Sequence, residues 1–166
     1  METKVYVDDK IAAKWKELAM KRFGYGRGSI SKAAEEALAI WIENEEKIAA
    51  ALEKLKGLAE KEKSIVALLL FGSYARKEPY HDLDIAVIAA EKSDWLKILS
   101  TLEGAVPEYL RFDFSLFNEM PASMKSRVLS ECTVLYSKKN FDLMELSYKL
   151  IEEWSDIKPM LDAAMV

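Results

Sequence analysis

Polar and apolar residues alternate across Lys4-Val5-Tyr6-Val7-Asp8, and a period of two predicts a short strand. The period then lengthens. Ile11, Trp15, Leu18, Ala19 and Arg22 recur at helical spacing. The segment from Phe23 to Gly28 holds three glycines and predicts a turn, after which Ser29 or Ser31 can cap a second helix with Ala34, Leu38, Trp41 and Ile42 on one face. Helical spacing continues through Glu45, Ile48, Leu52, Leu55 and Ala59, interrupted only by Gly57, and ends at the solvated Lys61-Glu62-Lys63. One strand and two helices leave an unpaired backbone edge and an apolar face. The pattern therefore predicts a homodimer formed by pairing the N-terminal strands of two copies.

At Ile65 the pattern changes. Ile65-Val66-Ala67-Leu68-Leu69-Leu70-Phe71 is a continuous apolar run that stops at Gly72-Ser73, as expected of a strand covered on both faces. A second strand is expected over 82–88, a helix over 94–102, an alternating third strand over 110–117, a helix over 122–130 and a fourth strand over 133–136. From Phe141 to about Met165 the spacing is helical, with Pro159 as a break or kink. These elements predict an α/β (α+β) fold in which helices flank a small mixed sheet. Three parts are expected: a strand-helix-helix module at 1–45, the sheet domain at 46–138 and a helical extension at 139–166.

Composition adds exclusions. Of 166 residues, 51% are hydrophobic and 31% charged, which is ordinary for a globular protein, and no apolar run reaches the roughly 18 residues of a membrane span. The start of the chain lacks a signal-peptide layout, so a soluble cytoplasmic protein without a membrane partner is expected. The single cysteine, Cys132, excludes an internal disulfide and reads as a packed thiol rather than a nucleophile. The net charge of −4 exerts no global pull on nucleic acid. Residues 1–32, however, carry eight Lys or Arg against four acids, a local basic excess.

Asp82 and Asp84 lie two apart in a predicted strand, so both carboxylates leave the same face while Leu83, Ile85 and Val87 point into the core. Such a pair repels itself unless a divalent cation lies between, and hard oxygen donors suit magnesium or manganese held together with a phosphate-bearing substrate. An isolated Asp-x-Asp is more often a solvated strand end, and an isolated Gly-Ser is an ordinary strand-to-helix turn. Together they point further. Gly72 lets a phosphate approach the backbone, Ser73 and the following amides can donate to it, and Arg76 and Lys77 add positive charge. Asp113 projects from the third strand on the side of Arg111 and Ser115. Two acids can hold a metal on a triphosphate, and a third can help bind a second ion and take the proton of the attacking hydroxyl.

Leu69-Leu70-Phe71-Gly72-Ser73-Tyr74-Ala75-Arg76, followed by Asp82-Leu83-Asp84-Ile85-Ala86-Val87, resembles the minimal nucleotidyltransferases of the DNA polymerase beta superfamily. The resemblance runs from about Ile48 to Tyr136 and includes Ser130-Glu131-Cys132-Thr133-Val134-Leu135-Tyr136 as the closing helix-to-strand step. It implies that Gly72 and Ser73 bind the triphosphate of ATP or another NTP, that Asp82 and Asp84 hold magnesium, and that Asp113 completes the site. Three departures stand out. Lys77 occupies a position where the family usually has Gly, His81 one where it commonly has Ser, and the loop between Gly-Ser and the acids is about two residues shorter. His81, the only histidine, reads equally as a nucleotide or acceptor contact and as a loop cap.

Lys4 to about Glu43 is similar to a ribbon-helix-helix module, a family that dimerises through its strands and often lays the ribbon in the DNA major groove. That resemblance turns Val5 and Val7 to the core and Lys4 and Tyr6 to the groove. It sets the amides around Gly28 and Ser29, with Arg27 and Lys32 nearby, against a phosphate, although Glu2 and Asp8 flank the reading face. Two functions are expected. One, implied by the nucleotidyltransferase resemblance, is magnesium-dependent transfer of AMP from ATP to a hydroxyl of a protein or other acceptor, as the antitoxin of a pair with a HEPN-domain partner. The other is a dimeric DNA-binding regulator whose second domain senses nucleotide or is inactive. Docking of a protein partner by the tail helix from Phe141 is a third, plainer reading.

Overall fold

The computed structural model describes residues 4–152, so Pro159 and the rest of the expected tail helix lie outside the described residues. The chain divides into two compact units, Met1–Ile48 and Ala49–Val166.

The first unit contains helix α1 (Asp9–Phe23) and the opening turns of helix α2 (Ser29–Lys61). Asp8 starts α1, its carboxylate accepting the amides of Lys10 at 3.0 Å and Ile11 at 3.4 Å. The strand expected over 4–8 does not form. A strand exists only by hydrogen bonding to a neighbour, and the neighbour expected here is another chain. Ser29 is the first residue of α2. Its buried hydroxyl is shared between the carbonyls of Gly24 (2.5 Å) and Gly26 (2.9 Å), tying the turn to the helix start. Trp15, Leu18, Ala19 and Phe23 of α1 line an apolar groove with Ala33, Ala37 and Ile40 of α2, and an Arg22–Glu36 ion pair joins the two helices. The apolar face expected on α2, through Leu38, Trp41 and Ile42, is exposed.

The second unit holds a four-stranded mixed sheet in the order β3-β2-β1-β4, built from β1 (Ile65–Phe71), β2 (Leu83–Ala89), β3 (Phe112–Leu116) and β4 (Thr133–Ser137). β1 is antiparallel to β2 and β4, whereas β2 and β3 are parallel. The expected mixed sheet flanked by helices is thus observed, with strand ends moved by one or two residues.

Both faces of β1 and β2 are covered, which explains why their sequences are continuously apolar. On one face Leu68, Leu70, Ile85, Val87 and Phe114 pack with Leu55 and Ala59 of α2 and with Ile98 and Leu102 of helix α4 (Trp95–Glu103). On the other, Ala67, Leu69, Phe71, Ala86 and Ile88 pack with Val128 of helix α5 (Ala122–Glu131) and with Leu143 and Leu146 of a helix, α6, that begins at 143. Ile65 shares a face with Leu68 despite opposite parity, because Val66 is an extra residue between the pairs Ile65↔Ala89 and Ala67↔Ile88. Such a bulge exchanges the faces of everything beyond it. Leu68 and Leu69 are fully buried on opposite faces, each side chain contributing about 1.5–3 kcal/mol. Gly57 lies inside α2 with open space around it and does not break the helix.

Candidate active site

The site begins where β1 ends. Gly72 adopts φ +76°, a left-handed conformation that turns the chain from strand into the single helical turn α3 (Gly72–Ala75). A Cβ on Gly72 would lie 1.9 Å from Oδ2 of Asp84. The carboxylate of Asp84 therefore rests over the glycine Cα, in space that only glycine leaves open. Main-chain bonds from Arg76 to Gly72 (3.1 Å), Lys77 to Tyr74 (3.0 Å) and Glu78 to Ser73 (3.0 Å) close the turn. Lys77 sits at φ 60°, a region where glycine is free and lysine is strained by roughly 1–2 kcal/mol.

Register brings two of the acids together. Asp84 pairs with Phe71 on one side and, in the parallel ladder, with Asp113 on the other. Directly paired residues point to the same face, so the Asp84 and Asp113 side chains stand side by side. The Leu83 amide donates to the Arg111 carbonyl at 3.0 Å and carries the alignment one step further. Asp82 precedes β2 and is exposed, as is Asp113, while Asp84 is half-buried. Burial raises the pKa of the Asp84 carboxyl above its ordinary value, and the charges of Asp82, Asp113 and Glu131 raise it further, against a partial offset from Arg127.

Among the described residues, no group of three or more Asp, Glu, His or Cys side chains is placed to hold a metal ion. The donor set nevertheless suits a hard divalent ion: all-oxygen, paired across adjacent strands, with Asp84 seated in a recess that a Cβ would fill.

Sequence reasoning missed Glu131. The last residue of α5, it accepts the Gly72 amide on Oε1 at 3.1 Å and the Arg76 guanidinium on Oε2 at 2.7 Å, with Arg127 3.4 Å away. Burial opposes its ionisation, but the bonds from Arg76 and the Gly72 amide, with the charges of Arg76 and Arg127, outweigh this and hold its pKa below the ordinary value. Two groups are engaged as a result. The Gly72 amide is already committed to a carboxylate. Arg76, held between Glu131 and Glu78, is not a free cation. A signal was present, since an acid in the last turn of a helix opposes the helix dipole and requires another reason to be there. Tyr74 and Tyr80 meet edge to face, with ring centroids 4.8 Å apart, and brace the loop before the acids. His81 and Lys77 are exposed. Cys132 packs beside the α5 face of the sheet, and burial pushes its thiol pKa up, in keeping with a packed residue. In the first unit Lys4, Tyr6, Arg27 and Lys32 are exposed and Ser29 is buried.

A family model described as polymerase beta nucleotidyltransferase matches residues 53–141, more than half of the chain. The chain belongs to that family. This nucleotidyltransferase also resembles solved structures in fold. One is a chain of a mutant MntA-HpeT toxin–antitoxin complex, 21% identical, covering 74% of this chain and 98% of that one at a TM-score of 0.50. Another comes from the Shewanella oneidensis complex of a tri-AMPylated HEPN toxin with MNT antitoxin, 22% identical, covering 74% and 97% at 0.46. A third is from a toxin–antitoxin complex with AMP-PNP, 21% identical, covering 74% and 99% at 0.46. No curated protein matches the chain. Among its described residues, no helix of this nucleotidyltransferase is long and apolar enough to cross a membrane.

Proposed function

We propose that this nucleotidyltransferase moves AMP from ATP, or a nucleoside monophosphate from another NTP, onto a hydroxyl acceptor, using Asp82, Asp84 and Asp113 with magnesium or manganese. The observation that carries the reading is the pairing of Asp84 with Asp113 across parallel strands, beside a glycine turn that Asp84 itself fills. Asp82 and Asp84 would hold the ion, with Asp113 contributing a third oxygen ligand. Bound there, the ion supplies Lewis-acid stabilisation of the charge that develops on the triphosphate.

The residues of the chain would do the rest. Gly72 and Ser73 lie against the triphosphate, and the exposed Lys77 and the shared guanidinium of Arg76 offset its charge. Asp113, exposed at the sheet edge, accepts the proton of the acceptor hydroxyl as that oxygen bonds to the α-phosphorus. The bond from the α-phosphorus to the bridging oxygen breaks, and pyrophosphate leaves with the electron pair. The acceptor we propose is a hydroxyl of a HEPN-domain partner, this chain acting as its antitoxin, the kind of pair in which the similarly folded MNT chain stands.

Incubation of the purified chain with α-labelled ATP and magnesium, with and without a HEPN-domain protein encoded beside it, tests this reading. Label should appear on the partner and vanish with Asp84→Asn, while the folded content of the variant is unchanged. Transfer that survives in Asp84→Asn would remove the proposed metal site.

A second reading rests on the open apolar residues of the first unit, including Val5, Leu38, Trp41 and Ile42. These suit a homodimer whose paired N-terminal segments present Lys4 and Tyr6 to DNA, with Arg27, Lys32 and the main chain at Ser29 near a phosphate. Salt-sensitive binding to a short palindrome, lost in the Lys4→Ala, Tyr6→Ala double variant, is its expected signature. Equal binding by that variant would exclude the ribbon as reader.

A further inference from the structure

We infer that Glu131 is the positioning residue of the nucleotide turn: its carboxylate holds the Gly72 amide and Arg76 so that the turn keeps the shape against which Asp84 is seated. The inference rests on the transferase reading and extends it to a residue outside the acidic set.

The argument begins with register. β4 runs antiparallel to β1 with Thr133 opposite Leu70, so two residues back along β4 and two forward along β1 bring Glu131 to Gly72. No strand hydrogen bond is available there, because α5 ends at Glu131 and β1 has already turned. The side chain takes over the task of the ladder. One oxygen accepts the Gly72 amide at 3.1 Å, as a strand carbonyl would, and the other accepts Nη1 of Arg76 at 2.7 Å. Both carboxylate oxygens are thus committed, and the side chain is only 14% exposed.

The consequence reaches the acids through Gly72. Its left-handed φ and the contact of its Cα with the Asp84 carboxylate describe one local shape, and the Gly72 amide is the handle by which that shape is held. Glycine is the residue least able to hold a conformation on its own, having the widest backbone freedom. An acceptor for its amide is therefore worth most there. Glu131 also keeps Arg76 turned toward α5. Without Glu131, Nη1 loses its partner while Nε and Nη2 stay on Glu78.

The test uses the full chain with Glu131→Ala and Glu131→Gln. Gln keeps an acceptor oxygen for the Gly72 amide but not the charge, whereas Ala keeps neither. Two readouts are taken below the melting temperature of every variant: exchange of the Gly72 amide with solvent, followed by NMR, and magnesium-dependent transfer from labelled ATP per folded molecule. Glu131→Ala should speed Gly72 exchange about tenfold and lower kcat/KM on the order of 100-fold, the scale of a small misplacement in a site. Glu131→Gln should restore most of the protection and bring turnover back to within about tenfold of the parent. Unchanged Gly72 exchange in Glu131→Ala would overturn the inference. A lower melting temperature with unchanged turnover would overturn it as well, since that is the behaviour of a purely structural residue. If the parent transfers no nucleotide, the reaction proposed above fails, and the exchange measurement alone decides the role of Glu131.

Discussion

The two units of the chain use apolar residues in opposite ways. In the second, both faces of the sheet are covered, and Leu68, Leu69, Ile85 and Val87 are fully buried. In the first, only Ala19, Ser29 and Ile48 are buried among the described residues, while Tyr6 is 95% exposed and Trp41 60%. One unit completes its core within a single chain. The other carries the apolar residues of a core without the burial. The difference shows that an amphipathic pattern reports a surface to be covered, and not what covers it.

The largest effects should separate the units most sharply. Leu69→Ala removes a fully buried side chain from the centre of the sheet and should cost about 2–5 kcal/mol. Leu38→Ala, at a position 54% exposed, should change stability by less than about 0.5 kcal/mol. Urea denaturation measures both. A Leu38→Ala effect that grows with protein concentration would show that a second copy covers this face.

Glycines refine the same contrast. Gly72 and Gly28 both have positive φ, but a Cβ at Gly72 meets Asp84 whereas one at Gly28 meets nothing within 4 Å. Gly72→Ala should cost about 3 kcal/mol, strain and overpacking together, and Gly28→Ala about 1 kcal/mol from strain alone. Equal costs would mean that the Asp84 contact carries no weight. Smaller again, Lys77→Gly relieves a left-handed lysine and should stabilise the fold by up to about 1 kcal/mol, seen as a higher melting temperature, while weakening nucleotide affinity by removal of a cation.

Much of the sheet was legible because β1 and β2 are buried along most of their length, β1 ending at Gly-Ser and β2 starting just after an Asp. Strand parity predicts a shared face for Asp82 and Asp84, although Asp82 stands just before β2. The pairing of Asp84 with Asp113 was not legible, since parity says nothing of which strand lies beside which; the parallel pairing of β2 with β3 supplies that. Glu131 was hidden for the same reason, its neighbour Gly72 lying 59 residues away in sequence. The N-terminal strand is a different case. Alternation at Lys4 to Asp8 is real, but Asp8 is taken by the α1 cap, and among the described residues of a single chain the segment pairs with no strand.

The central claim is that Asp84 and its neighbours form a cation site, and the most direct measurement is manganese binding followed by electron paramagnetic resonance, with a non-hydrolysable ATP analogue, on the parent and Asp84→Asn. The raised pKa of Asp84 sets a further condition. An ionised Asp84 destabilises the metal-free fold above that pKa, and the penalty disappears as the pH falls and the group is protonated. Without metal, Asp84→Asn should therefore melt no lower than the parent at neutral pH. With manganese the parent alone should gain stability, and the variant should bind the ion at least about tenfold more weakly. Equal manganese affinity in the two proteins would contradict the account.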